Sequence, residues 1–125
     1  MFSSIVAISV GASIGAVSRW LLALGFNALW VTMPLGTLLA NLVGAYLVGL
    51  ATSYFEAQAG LPSELKLLVI TGFLGGLTTF STFSAEVVAI LQAGSYVRAF
   101  FTIGLHLLGS LALTILGIAT YTWFK

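Results

Sequence analysis

Polar side chains recur inside long apolar stretches of this sequence, at spacings that place them on shared helix faces. Thr37 and Asn41 are four residues apart, and His106, Ser110 and Thr114 follow one another at the same interval. Residues four positions apart lie on one side of a helix. Their hydroxyl, carboxamide and imidazole groups can donate hydrogen bonds to an anion, although a single hydroxyl within a span usually bonds to its own helix. The pattern therefore predicts a polar pathway through apolar surroundings.

A second concentration of polar and aromatic residues occupies positions 71–84, with the sequence TGFLGGLTTFSTFS. Gly75 and Gly76 each lower helix stability by about 1 kcal/mol relative to alanine. Irregular backbone at membrane depth is tolerated only where protein covers it or where it lines a wet cavity. We therefore expect a broken helix here, with carbonyl groups free to bind a cation and N–H groups free to bind an anion.

Phe80 and Phe83 lie within this segment and are three positions apart, so they are near neighbours on one helix face. The edge of a phenyl ring is electropositive, and a ring turned edge-on can face an anion. The alternative is ordinary aromatic packing beside a kink. Both interpretations remain open from the sequence alone.

The composition excludes most other kinds of chemistry. The chain of 125 residues is 60% apolar and 6% charged, with a mean hydropathy of +1.16, no Cys and one His. A soluble domain carries about 25% charged residues, so this chain could not cover a surface facing water. The net charge is +1 with no basic run to follow a phosphate backbone. We expect an integral membrane protein, not an enzyme and not a nucleic-acid-binding protein.

The positions of the charges predict the membrane spans. Residues 20–55, 67–85 and 99–124 carry no Asp, Glu, Lys or Arg. A spanning helix needs about 20 predominantly apolar residues. We predict an all-α protein forming a single membrane domain over residues 1–125, with the third helix broken near its centre. The predicted spans are roughly 3–26, 35–55, 64–93 and 97–122.

Small residues recur every four positions on two of these spans, at Ala7, Gly11 and Gly15 and again at Gly72 and Gly76. This spacing allows helix backbones to approach each other closely in lipid. It predicts helix packing and carries no information about transport.

The charges outside the apolar runs scarcely define an orientation. With four spans, Lys66 and Lys125 lie on one side of the membrane and Arg98 lies on the other, which is a weak bias. One interpretation is an ordinary membrane protein with a single orientation. The other is that chains insert both ways and pair antiparallel, as the inverted repeats of many transporters do within one chain.

Three strings together resemble the Fluc (CrcB-type) family of fluoride channels, and the resemblance extends over the whole chain. They are GASIGAVSRW at 11–20, PLGTLLANLVG at 34–44 and GFLGGLTTFSTF at 72–83, of which the last is the most specific. The resemblance implies an antiparallel, dual-topology homodimer with two pores in the bacterial inner membrane. It also implies passive export of fluoride, which lowers the cytoplasmic concentration of that ion.

The same resemblance assigns roles to individual residues. Asn41 corresponds to a pore-lining Asn, and Phe80 and Phe83 correspond to the phenylalanines that face the ion. Arg19 corresponds to an Arg near a vestibule, and a structural sodium ion at the dimer centre is held by backbone carbonyls of about Gly75 and Thr78. His106 stands where some relatives carry Tyr. The remaining expected pore residues are Thr37, Ser81, His106, Ser110 and Thr114.

Two other classes of protein share some of these features. A small multidrug-type exporter coupled to protons also has four spans, but it is expected to carry an acidic residue in the first span, where this chain has only Arg19. A membrane scaffold would account for the glycines but not for the polar faces.

Overall fold

The structure is a computed structural model that describes residues 1–30 and 33–125. Four helices in these ranges are long and apolar enough to cross a membrane, which confirms that prediction; the helical stretches run over Phe2–Leu29, Leu35–Ala57, Ser63–Gln92 and Tyr96–Phe124. The first consists of helix α1, Phe2–Phe26, and a short 3₁₀ turn, Asn27–Leu29. Helix α2 is Leu35–Ala57.

The segment 63–77 forms the first half of the third span and is called α3. It is α-helical at Ser63–Lys66, wound as a π-helix at Leu67–Leu74 and α-helical again at Gly75–Leu77. Helix α4, Phe80–Gln92, forms the second half, and helix α5, Tyr96–Phe124, is the last span. The chain turns between α4 and α5 at Gly94, whose φ of 81° suits a residue without a Cβ atom.

The backbone between α3 and α4 is extended at two residues. Thr78 has φ −85° and ψ 155°, and Thr79 has φ −151° and ψ 121°. The hydroxyl of Thr79 accepts a hydrogen bond from the Thr82 N–H at 3.0 Å, so Thr79 caps the N-terminus of α4. Gly75 and Gly76, where the sequence predicted a weak point, lie in helical backbone just before this extended pair.

Small residues bring α1 against α3, as their spacing predicts. A Cβ atom placed on Gly11 would collide with the Leu68 carbonyl oxygen, and one placed on Gly15 would collide with the Phe73 carbonyl oxygen. From the opposite side, a Cβ atom on Gly72 would lie 2.9 Å from the Ile8 carbonyl oxygen. The two backbones are therefore in direct contact, and a larger residue at these positions would separate them.

Helices α2 and α5 pack along each other through glycines in the same way. Gly49 of α2 lies against the Thr114 carbonyl, and Gly117 of α5 lies against the Tyr46 carbonyl. Helix α2 therefore lies between α5 on one side and α1 and α3 on the other. Much of the outer surface of α1 and α5 is apolar and exposed, as is typical of surfaces that face lipid.

Candidate functional site

A groove of about 460 Å³ lies between α2, the third span and α5. It is lined by side chains or backbone from both sides of the extended pair Thr78–Thr79 and from the facing surfaces of α2 and α5. The groove brings together most of the residues that the sequence singled out. From that set it contains Asn41, Gly75, Thr78, Phe80, Phe83, His106, Ser110 and Thr114.

The carboxamide of Asn41 bonds to the backbone at the extended pair. Its Oδ1 accepts a hydrogen bond from the Thr79 N–H at 2.7 Å, and its Nδ2 donates to the Thr79 carbonyl at 3.0 Å. Nδ2 also lies 3.0 Å from Nδ1 of His106. In a continuous helix the Thr79 N–H would donate to the Gly75 carbonyl. Asn41 therefore supplies the partner that the interrupted helix lacks.

Three aromatic rings lie in a row along the groove. The ring centroids of Phe80 and Phe83 are 5.7 Å apart with an interplanar angle of 61°, which is an edge-on arrangement. The centroids of Phe83 and His106 are 4.5 Å apart with an angle of 34°. Phe80 is 79% exposed in the single chain, whereas His106 is 4% exposed. Phe80 therefore lies at the open end of the row, and His106 lies at its buried end.

The polar residues on α5 differ in whether their side-chain groups already have hydrogen-bond partners. The Thr114 hydroxyl donates to the Ala45 carbonyl at 3.0 Å, and this bond joins α5 to α2. Ser110 lies one turn before Thr114 in the groove, and its hydroxyl makes no hydrogen bond with any residue that the structure describes. Nε2 of His106 is buried and has no hydrogen-bond partner in the described chain. Ser110 and His106 therefore hold the uncommitted donors on this face.

Three of the expected site residues lie outside the lining of the groove. The Thr37 hydroxyl donates to Oε2 of Glu86 at 2.6 Å. The Ser81 hydroxyl lies 3.2 Å from the Thr79 hydroxyl, at the start of α4. Nε of Arg19 donates to the Gly76 carbonyl at 3.0 Å, so Arg19 links α1 to the end of α3.

Two residues, Thr79 and Glu86, were not identified as site residues from the sequence. Thr79 contributes its backbone to the Asn41 contacts, and nothing in a hydroxyl-rich string distinguishes it from its neighbours. Glu86 accepts from Thr37 and borders a second cavity of about 240 Å³ together with Asn27, Trp30 and Arg98. Its position three residues after Phe83, as a charge within an apolar span, is the signal that could have identified it.

Known proteins are similar to this chain over nearly its whole length. A family model described as "CrcB-like protein, Camphor Resistance (CrcB)" matches residues 6–118. A Tolumonas auensis protein named fluoride-specific ion channel FluC is 62% identical over 120 residues, which cover 96% of this chain and 94% of the relative.

Proteins of the same name in other bacteria are similar over comparable lengths. The Nitrosomonas europaea protein is 51% identical over 125 residues, covering 100% of this chain and 98% of the relative. The Pseudomonas aeruginosa protein is 53% identical over 123 residues, covering 98% of this chain and 97% of the relative. Because the similarity covers nearly the whole of both chains, this chain belongs to the CrcB family.

Proposed function

We propose that the protein is a fluoride-selective channel through which fluoride leaves the cell passively, so that its cytoplasmic concentration falls. The relatives in the three bacteria above are named fluoride-specific ion channels, and the match is nearly complete in length. Within this chain, one observation carries the proposal. A single groove between the helices gathers hydrogen-bond donors and phenyl rings and has no Asp, Glu, Lys or Arg in its lining.

The chemistry of the groove suits a small, strongly hydrated anion. Fluoride must exchange its water for other donors, and the Ser110 hydroxyl in the groove is not committed to another described residue. The edges of Phe80 and Phe83 add a favourable field without adding acceptors that would compete with the ion. A full positive charge in the lining would hold the ion too long for conduction, and none is present.

Passive export follows from the acid–base chemistry of fluoride. The neutral acid HF crosses membranes and ionises inside a cell whose pH is higher than that of the medium. A channel in the bacterial inner membrane lets the anion leave, because a negative internal potential drives anions outward. Selection against chloride matters equally, since a pore open to chloride would collapse that potential.

The functional unit in this proposal is an antiparallel homodimer with two pores. The nearly balanced distribution of Lys66, Lys125 and Arg98 supports insertion in both orientations. The exposure of Phe80 beside the groove supports a second chain covering this side of the bundle.

The proposed dimer contains a structural sodium ion held by backbone carbonyls of Gly75 and Thr78. The Thr79 N–H, the usual helical donor to the Gly75 carbonyl, bonds to Asn41. A Cβ atom on Gly75 would meet only the Ile70 carbonyl oxygen, at 3.7 Å, so there is space beside this residue. Residues 1–30 and 33–125 contain no cluster of His, Cys, Asp or Glu suited to a metal, which leaves uncharged oxygens as the ligands for a hard cation.

The alternative, a proton-coupled exporter of the small multidrug type, lacks support. Such a protein needs an acidic residue within its first span, and Phe2–Leu29 contains Arg19 as its one charged residue. No observation in the groove favours proton coupling over simple conduction of an anion.

Fluoride release from liposomes tests the proposal. Vesicles containing purified protein are loaded with potassium fluoride, diluted into medium low in fluoride at the same pH, and made permeable to potassium with valinomycin. An electrode should record rapid loss of fluoride, and vesicles loaded with chloride should retain it. Release no faster than from protein-free vesicles would refute the channel, and release that requires a pH gradient would indicate a coupled exporter.

A further inference from the structure

The orientation of the Asn41 carboxamide is fixed by the backbone that it contacts. A backbone N–H can only donate, so the atom of Asn41 that lies 2.7 Å from the Thr79 nitrogen must be the oxygen. The carboxamide nitrogen then faces the Thr79 carbonyl at 3.0 Å, where it donates. One side chain thus satisfies both backbone groups of a residue that belongs to neither helix.

The orientation of the Asn41 carboxamide determines the protonation of His106. With Oδ1 of Asn41 turned toward the Thr79 N–H, Nδ2 is the atom that lies 3.0 Å from Nδ1 of His106. Because Nδ2 only donates, Nδ1 must accept and cannot carry a proton. The imidazole is therefore the neutral tautomer with its proton on Nε2.

Asn41 therefore has no N–H group left to offer to an ion. Its two Nδ2 hydrogens point to the Thr79 carbonyl and to His106 Nδ1. The donor left over in this network is Nε2–H of His106, a buried atom with no partner among the described residues. The ring that carries it packs against Phe83 and borders the groove.

We propose that Asn41 is a positioning residue that bridges the extended pair Thr78–Thr79, and that His106 locks it in place by accepting from it as the Nε2–H tautomer. This differs from the sequence-based expectation, in which Asn41 turns its own N–H groups toward the ion. We call the hydrogen bonds that join Asn41 to Thr79 and to His106 the lock. A role of the lock in ion permeation rests on the proposed function, whereas the hydrogen bonds themselves do not.

Nitrogen-15 NMR of the protein in lipid bilayers, labelled at histidine, tests the lock directly. His106 is the only histidine, so its two ring signals need no further assignment. At neutral pH the wild type should show an unprotonated Nδ1 and a protonated Nε2. In Asn41→Asp the carboxylate offers only acceptors, so Nδ1 should gain a proton, either by a change of tautomer or by formation of the imidazolium. A proton on Nδ1 in the wild type would overturn the proposal, as would an unchanged histidine spectrum in Asn41→Asp when the carboxyl carbon-13 signal shows the carboxylate form.

A pair of substitutions at His106 tests whether the lock affects the permeation of fluoride. Asn places its Oδ1 where the imidazole has Nδ1 and can accept from Asn41 Nδ2, whereas Leu fills similar space and accepts nothing. We expect fluoride release by His106→Leu to be about tenfold or more below that by His106→Asn. Equal release by His106→Leu and His106→Asn would contradict the positioning role.

The two readouts separate the lock from the proposed function. If the wild type released no fluoride, the channel would be refuted while the NMR signals would still decide how Asn41 and His106 are arranged. If His106→Leu failed to assemble, the wild type and Asn41→Asp spectra would still support or overturn the lock.

Discussion

Phe80 and Phe83 are the residues on which the proposed selectivity depends most. Their edge-on arrangement beside the groove is compatible both with packing and with a favourable field for an anion. We expect Phe80→Ile and Phe83→Ile to lower fluoride release by about tenfold or more, since an aliphatic side chain has no electropositive edge. Liposome efflux, normalised to the protein recovered in folded form by size exclusion, measures this effect.

The matched control for the aromatic pair is Phe101→Ile. Phe101 is 62% exposed on α5 and does not line the groove, so its replacement should leave fluoride release unchanged. If Phe80→Ile and Phe83→Ile both conduct like the wild type, the rings only pack beside the extended pair. Release that falls in proportion to folded protein would favour packing as well.

At the scale of single residues, much of the candidate site follows from periodicity. The four-residue spacing on α5 places His106, Ser110 and Thr114 along one groove, whereas of the Thr37–Asn41 pair on α2 only Asn41 lines it. What the sequence does not contain is the choice of hydrogen-bond partner. Thr114 donates to a carbonyl of α2, because Gly49 lets the two backbones approach closely beside it. Such choices depend on the tertiary approach of the helices, which a pattern of polar residues does not encode.

At the scale of elements, the backbone of the third span is not interrupted where local helix propensity is lowest. Two adjacent glycines predict the weakest helix at 75–76, yet these residues are helical and the extended backbone begins at Thr78. Gly76 is held by α1, since Arg19 donates to its carbonyl and Ala12 packs against it. Thr79 then caps the next helix through its hydroxyl. Tertiary contacts and a cap therefore move the irregular backbone away from the glycines.

The contact between α1 and α3 gives a prediction about stability. In Gly15→Ala the new methyl group would lie 2.8 Å from the Leu77 nitrogen and closer still to the Phe73 carbonyl, so the helices must separate. We expect a loss of about 1–3 kcal/mol, as for other overpacked sites. Thermal denaturation in detergent, followed by size exclusion, provides the measurement.

Gly104→Ala is the control for this prediction. Nothing lies within 4 Å of a Cβ atom at that position on α5, so the alanine should be neutral or should stabilise the helix by up to about 1 kcal/mol. Equal thermal denaturation midpoints for Gly15→Ala and the wild type would show that α1 and α3 can separate at this position with little loss of stability.

At the scale of the whole molecule, composition and the gaps between charges were sufficient to predict four membrane-spanning helices, because lipid requires long apolar segments. Helix α2 begins at Leu35, and Pro34 precedes its first turn. The winding of Leu67–Leu74 as a π-helix was not predictable, because no residue in LLVITGFL forces it. That winding accompanies the close approach of Gly11 to the Leu68 carbonyl, a contact between distant parts of the chain.

Dual topology is the whole-molecule prediction, and the absence of cysteine makes it simple to test. A single cysteine introduced by Phe124→Cys lies at the end of α5, where the side chain is 80% exposed, and it preserves the charge of Lys125. With antiparallel insertion, an impermeant thiol reagent should label about half of the chains in intact cells and the remainder after permeabilisation. Labelling that is complete, or absent, before permeabilisation would refute the antiparallel dimer.

The central claim is that fluoride passes through the groove between α2, the third span and α5, and modification of a cysteine within that groove tests it most directly. Ser110→Cys places a thiol in the lining, and Leu108→Cys places one on the other side of α5, where residue 108 is 67% exposed. Reaction with a small methanethiosulfonate reagent should abolish fluoride release by Ser110→Cys and leave Leu108→Cys unaffected. Undiminished release from Ser110→Cys, with complete modification verified by mass spectrometry, would contradict the account.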